Sequence, residues 1–158
     1  MTTNPTPAKK VEVFFSYSHK DEALRDKLAT HLRILERQHV IAGWHDRRIT
    51  GGNEWAGQIN EHLNSAQIIL LLISSDFISS DYCYDIEMTR AMERHAAGEA
   101  RVIPVILRPV DWKDAPFAKL QALPKDARPV TKWSNQDEAF TNITEGIRAV
   151  VKELNPNP

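Results

Sequence analysis

Hydrophobic and polar positions change period several times along the chain, and each change marks an element. Residues 11–15 (Val11, Val13, Phe14 and Phe15 around one acid) read as a strand. Leu24, Leu28, Leu32 and Leu35 then recur at helical spacing and predict a helix over about 21–37. Residues 40–44 read as a short second strand, and the polar stretch 46–53, with Gly51-Gly52, as a loop. Trp55, Ile59, Leu63 and Ala66 mark a second helix by their 3–4 spacing. Residues 68–73 are apolar without interruption, the pattern of a strand covered on both faces. A third helix covers about 82–97 and stops near Gly98, a residue that commonly closes helices. Residues 102–107 form a fourth strand. Pro109, Pro116, Pro124 and Pro129 then predict loop with at most a short helix, and Pro129-Val130 begins a fifth, edge strand. The last helix spans about 136–154, with Ser134 or Asn135 as its cap.

Strands alternating with helices imply right-handed crossovers and a parallel sheet covered by helices on both faces. For five strands the expected arrangement is flavodoxin-like, in the order 2-1-3-4-5. Ligands in such folds bind beyond the carboxyl ends of the strands, at the switch point between strands one and three. The loops after Phe15, Trp44 and Ser74 converge there. Residues 1–10 and 155–158 are rich in Thr, Asn and Pro and read as flexible tails around one domain at 11–154.

Composition narrows the function classes. The 158 residues suit a single domain, and a net charge of −1 with mixed signs argues against a nucleic-acid binder. No apolar run approaches the roughly 20 residues that cross a bilayer, and no signal peptide is visible in the polar first ten residues. The single cysteine, Cys83, leaves no internal disulfide framework and suits a reducing cytoplasm. Neither a dinucleotide fingerprint nor a phosphate loop follows any strand, and the six histidines lack metal-ligand spacing, so no metal and no bound cofactor are expected. The acidic pair of a response regulator is replaced after the first strand by Ser16-Tyr17-Ser18.

One constellation is sharper. Cys83 and Glu87 lie four apart on the third helix and share a side of it, whereas Asp85 faces elsewhere, so Asp85 and Glu87 are not a dyad. Glu87 sits in the second turn, near enough to the positive helix end to favour its anionic form. A bland alternative is a solvated carboxylate paired with Arg90 or Arg94.

Five blocks in order carry a resemblance: Val13-Phe14-Phe15-Ser16-Tyr17-Ser18; Trp44-His45-Asp46-Arg47-Arg48-Ile49; Gly52-Asn53-Glu54-Trp55; Leu72-Ile73-Ser74-Ser75-Asp76-Phe77; and Ser80-Asp81-Tyr82-Cys83 through Glu87. Over about 11–154 the chain resembles TIR (Toll/interleukin-1 receptor) domains, the bacterial type above all. Many of these cleave NAD+ at the nicotinamide–ribose bond with a glutamate in the helix after the third strand. The resemblance carries that role to Glu87, with NAD+ as substrate. It implies Phe15, Tyr17, Ile49 and Trp55 as apolar or stacking walls and Asp46, Arg47 and Arg48 as polar contacts, the arginines toward phosphate. Ser16 and Cys83 complete the implied substrate site. Two departures stand out. Cys83 occupies the place where many NAD+-cleaving members have tryptophan, with Tyr82 or Tyr84 as substitute aromatics. Thr50-Gly51-Gly52 replaces the proline-before-glycine pattern of animal adaptors.

The resemblance further implies activation by self-assembly through loop 46–53, association with other TIR domains, coupling to a sensor domain, and a role in bacterial antiphage defence. Two rival readings remain. One is a TIR–TIR interaction module without chemistry; the other is a different flavodoxin-like enzyme, such as a nucleoside-processing transferase. Whether the product is linear or cyclic ADP-ribose depends on which nucleophile reaches the ribose first, and the sequence does not encode that visibly.

Overall fold

The computed structural model describes residues 11–45 and 61–155. Among them are four parallel strands: β1 (Glu12–Ser16), β2 (Gly43–His45), β3 (Ile68–Ile73) and β4 (Arg101–Ile106). They lie in the order β2-β1-β3-β4, the flavodoxin-like arrangement for its first four positions. Each strand reaches the next through a helix-bearing crossover, as parallel pairing demands.

β3 has all six side chains buried because it lies between β1 and β4 and is covered on both faces. Strand alternation sorts those side chains into two cores. Ile68, Leu70 and Leu72 join Val13 and Phe15 beneath α1 (Glu22–Arg37) and α5 (Gln136–Leu154). Ile69, Leu71 and Ile73 join Phe14, Leu63, Phe77, Cys83 and Met88 on the other face. That face carries α2 (Glu61–Ser65), α3 (Ser75–Ser79) and α4 (Thr89–Ala96). The four leucines that predicted α1 are all buried in the first core. Each contributes about 1.5–3 kcal/mol by leaving water, so docking of this stripe, more than intrinsic propensity, holds the helix.

Besides one-residue shifts of β1 and β4, two larger departures from the sequence expectation have identifiable reasons. β2 begins at Gly43 rather than Val40, because the backbone N–H groups of Val40 and Ile41 turn back to Leu35 O at 2.8 and 3.3 Å. His39 makes that turn with φ 58°, in a conformation more often given to glycine. The expected fifth strand at Pro129-Val130 is instead a 3-10 turn, Val130–Lys132, with Val130 buried. Beyond β4 the sheet edge meets one isolated parallel bridge, Val105 to Leu123. Proline at 124 and 129 removes the N–H donors that a longer ladder would use. α5 starts where expected, and Asn135 is the cap: its side chain accepts from the Asp137 and Glu138 N–H groups at 2.9 and 3.3 Å.

Candidate functional site

The carboxyl ends of β1 and β3 position the chemistry. Alternation along β1 sends Phe14 and Ser16 to the α3–α4 face. β3 is followed at once by Ser74, which caps α3 by accepting from the Phe77 N–H at 3.1 Å. The five-residue α3 stops at Ser80, whose hydroxyl accepts from the Cys83 N–H at 3.1 Å and so caps the next segment. That segment, Asp81–Met88, is wound as a π-helix and runs directly into α4. Such wide turns are uncommon and concentrate at functional positions.

Glu87 projects from this segment and is fully buried. The Ser16 hydroxyl, also fully buried, donates to Glu87 Oε1 at 2.7 Å. One turn earlier the buried Cys83 thiol donates to the Tyr17 carbonyl at 3.3 Å. The end of β1 is therefore tied to the π-helical segment at two points. Burying a carboxylate is costly without hydrogen bonds, so a serine at the last position of β1 has a direct physical role. The bland pairing is not the arrangement found: Arg90 donates to Asn64 Oδ1 at 2.8 Å, and Arg94 to the carbonyls of Leu63 and Ala66 at 2.7 Å each. Asp85 is exposed.

The structure brings Ser16, Cys83 and Glu87 together with the Tyr17 backbone. It does not bring the Phe15 and Tyr17 rings to the same place. Both rings are buried in the core under α1 and α5, on the other side of the sheet. There Phe15 meets the Trp44 ring edge-on at 6.3 Å, and the Arg25 guanidinium lies 5.2 Å from Phe15 and 5.7 Å from Tyr17. Asp46, Arg47, Arg48, Ile49 and Trp55, with the whole of loop 46–53, lie outside the described residues.

A second polar cluster at the same end of the sheet was not anticipated. Asp21, just before α1, is 1% exposed. Its Oδ2 accepts a short hydrogen bond from the Ser74 hydroxyl, and its Oδ1 accepts from Arg108 Nε at 2.8 Å. The visible signal was an acid soon after β1 and a base soon after β4. Their proximity follows only once the strand order is known. Among the described residues no group of three His, Cys, Asp or Glu could hold a metal ion, and no helix is long and apolar enough to cross a membrane.

With this geometry in hand, comparison with known proteins is decisive at the family level. A family model for the TIR domain matches residues 13–143. The chain belongs to the TIR domain family. A Sinorhizobium fredii protein, y4lF, is 59% identical over 136 residues, which cover 86% of this chain and 42% of that protein. The TIR domain thus spans less than half the length of this relative. Among solved structures, the TIR domains of the activated Roq1 resistosome directly recognizing the pathogen effector XopQ align with a TM-score of 0.47 and 18% identity. That alignment covers 94% of this chain and 85% of the other.

Proposed function

We propose that this TIR domain cleaves NAD+ at the nicotinamide–ribose bond, with Glu87 as the catalytic carboxylate and no metal or bound cofactor. The observation that supports it most is the seating of Glu87: at the carboxyl end of β1 in a parallel sheet, withdrawn from water, and held by the Ser16 hydroxyl at 2.7 Å. One carboxylate is enough for this chemistry. Nicotinamide departs as a neutral molecule from a cationic pyridinium, so no acid need protonate it. Glycosidases keep two carboxylates largely because their leaving groups do need a proton. Glu87 would accept from the ribose hydroxyls and oppose the positive charge that develops at the anomeric carbon. Water then completes the hydrolysis to ADP-ribose, or an internal nucleophile closes a cyclic form.

Glu87 has no exposed surface in the described conformation, so substrate must gain access through a rearrangement at this end of the sheet. Self-association through loop 46–53 is the event we assign to that step, under control of a sensor in a longer protein, in bacterial defence signalling. A second reading also draws on the burial of Glu87: the carboxylate could serve only to tie the Asp81–Met88 segment to β1, in a TIR–TIR interaction module. Incubating the domain, concentrated and artificially clustered, with NAD+ and following nicotinamide separates the two. The enzyme reading expects release from the clustered protein and a loss of about 100-fold or more in Glu87→Gln. No release under clustering, or equal release from the variant, leaves the interaction module.

A further inference from the structure

We infer that Arg108, Asp21 and Ser74 form a positioning network for Glu87. This deepens the reading of Glu87 above and rests on it for its catalytic meaning. The three side chains come from the three connections that leave β1, β3 and β4, and they meet around one buried carboxylate. Each Asp21 oxygen has its own donor: Arg108 Nε on Oδ1 and the Ser74 hydroxyl on Oδ2. Giving its one proton to Asp21 fixes the Ser74 rotamer. Its lone pairs then face the Phe77 N–H, which is the cap of α3.

From that cap the chain runs through five residues of α3 to Ser80, whose hydroxyl caps the segment bearing Cys83 and Glu87. No strand pairing holds the stretch between Ser74 and Glu87; Phe77 anchors its middle in the core, and the polar ties that join it to the other strand ends lie at its two ends. One end is the Asp21 network; the other is the pair of ties from Cys83 to Tyr17 and from Ser16 to Glu87. A buried ion pair is weak evidence for stability, because its desolvation cost offsets much of the attraction. What it supplies here is a fixed origin for α3. Arg108 is the accessible member, with 43% of its side chain exposed against none of Asp21, so it can be changed without opening a cavity.

Cys83, the sole cysteine of the chain, is fully buried one turn before Glu87 and reports on this segment directly. The experiment follows modification of Cys83 by a thiol reagent in native buffer and through low urea, for the full chain and for Arg108→Ala, Arg108→Lys and Ile147→Val. Ile147 lies in the other core and serves as a control that lowers global stability alone. Opening of one segment gives labelling that low urea hardly changes, whereas labelling through global unfolding rises steeply with urea. The network predicts a urea-independent labelling rate raised about tenfold or more in Arg108→Ala, the scale of losing one hydrogen bond to a charged group. Arg108→Lys should fall between it and the unchanged chain. If Arg108→Ala leaves that rate unchanged, or raises it only through the urea-dependent route as Ile147→Val does, the inference is overturned. Nicotinamide release is a separate arm: given release from the clustered chain, Arg108→Ala should lower kcat more than it raises KM. Absence of release from the unchanged chain defeats the enzyme reading, while the labelling still decides the network.

Discussion

Ser16→Ala removes one hydroxyl and almost no volume, so its effect reads the hydrogen bond to Glu87 with little interference from packing. Both groups are fully buried and 2.7 Å apart, so water cannot take the place of the lost donor. Leaving a buried acceptor without its donor costs about 1–3 kcal/mol, and that is the expected destabilisation. For a domain of this size it lowers Tm by roughly 2–12 °C. The assay is urea unfolding of the unchanged protein, Ser16→Ala, Glu87→Met and the double variant. Methionine keeps the volume and removes the acceptor, and the cycle cancels whatever else either side chain touches. A coupling of about 1 kcal/mol or more is expected, since residues in direct contact fall in that range. If Ser16→Ala stays within about 0.3 kcal/mol of the unchanged protein, or the two changes simply add, the hydroxyl does not hold the carboxylate and the reasoning about the site is wrong.

Two further predictions concern the frame around the site. Arg94 is 5% exposed and donates to the carbonyls of Leu63, Ala66 and Glu99; Arg94→Ala should cost about 3 kcal/mol or more by thermal melting. Lysine there should recover only part of the loss, since a single ammonium cannot reproduce the planar fork. Asn135→Ala should cost about 1 kcal/mol in urea unfolding by uncapping α5, while Asn135→Asp should be nearly neutral.

The parts of the fold that were legible are those where one periodic signal dominates. β3 is an unbroken apolar run between a polar turn and a serine cap, and its bounds match the expectation residue for residue. α5 does so as well, because Asn135 and a regular apolar stripe define it. β2 and the edge beyond β4 were misplaced where apolar residues fill the core without pairing. Val40 and Ile41 finish the turn after α1, and Val130 packs from a 3-10 turn. In the site, Glu87 and Ser16 were singled out from their blocks, and the structure places them in contact. Phe15 and Tyr17 were expected beside them as walls, but alternation along β1 turns odd positions toward α1 and α5. In the Asp21–Ser74–Arg108 cluster, 53 and 87 residues of sequence separate Asp21 from its two partners, and no periodic signal or motif block joins Asp21 to either, so only the strand order brings them together.

The distance along the chain between Ser16 and Glu87, 71 residues, also sets a schedule for biosynthesis. At about 5–20 residues per second, ribosomes deliver the hydroxyl roughly 4–14 s before the carboxylate. For most of that interval β1 can find only β2, a three-residue strand, and its main partner β3 is finished shortly before Glu87 is added. The first half of the site therefore waits on the nascent chain, and the carboxylate has no seat until the centre of the sheet has closed around it.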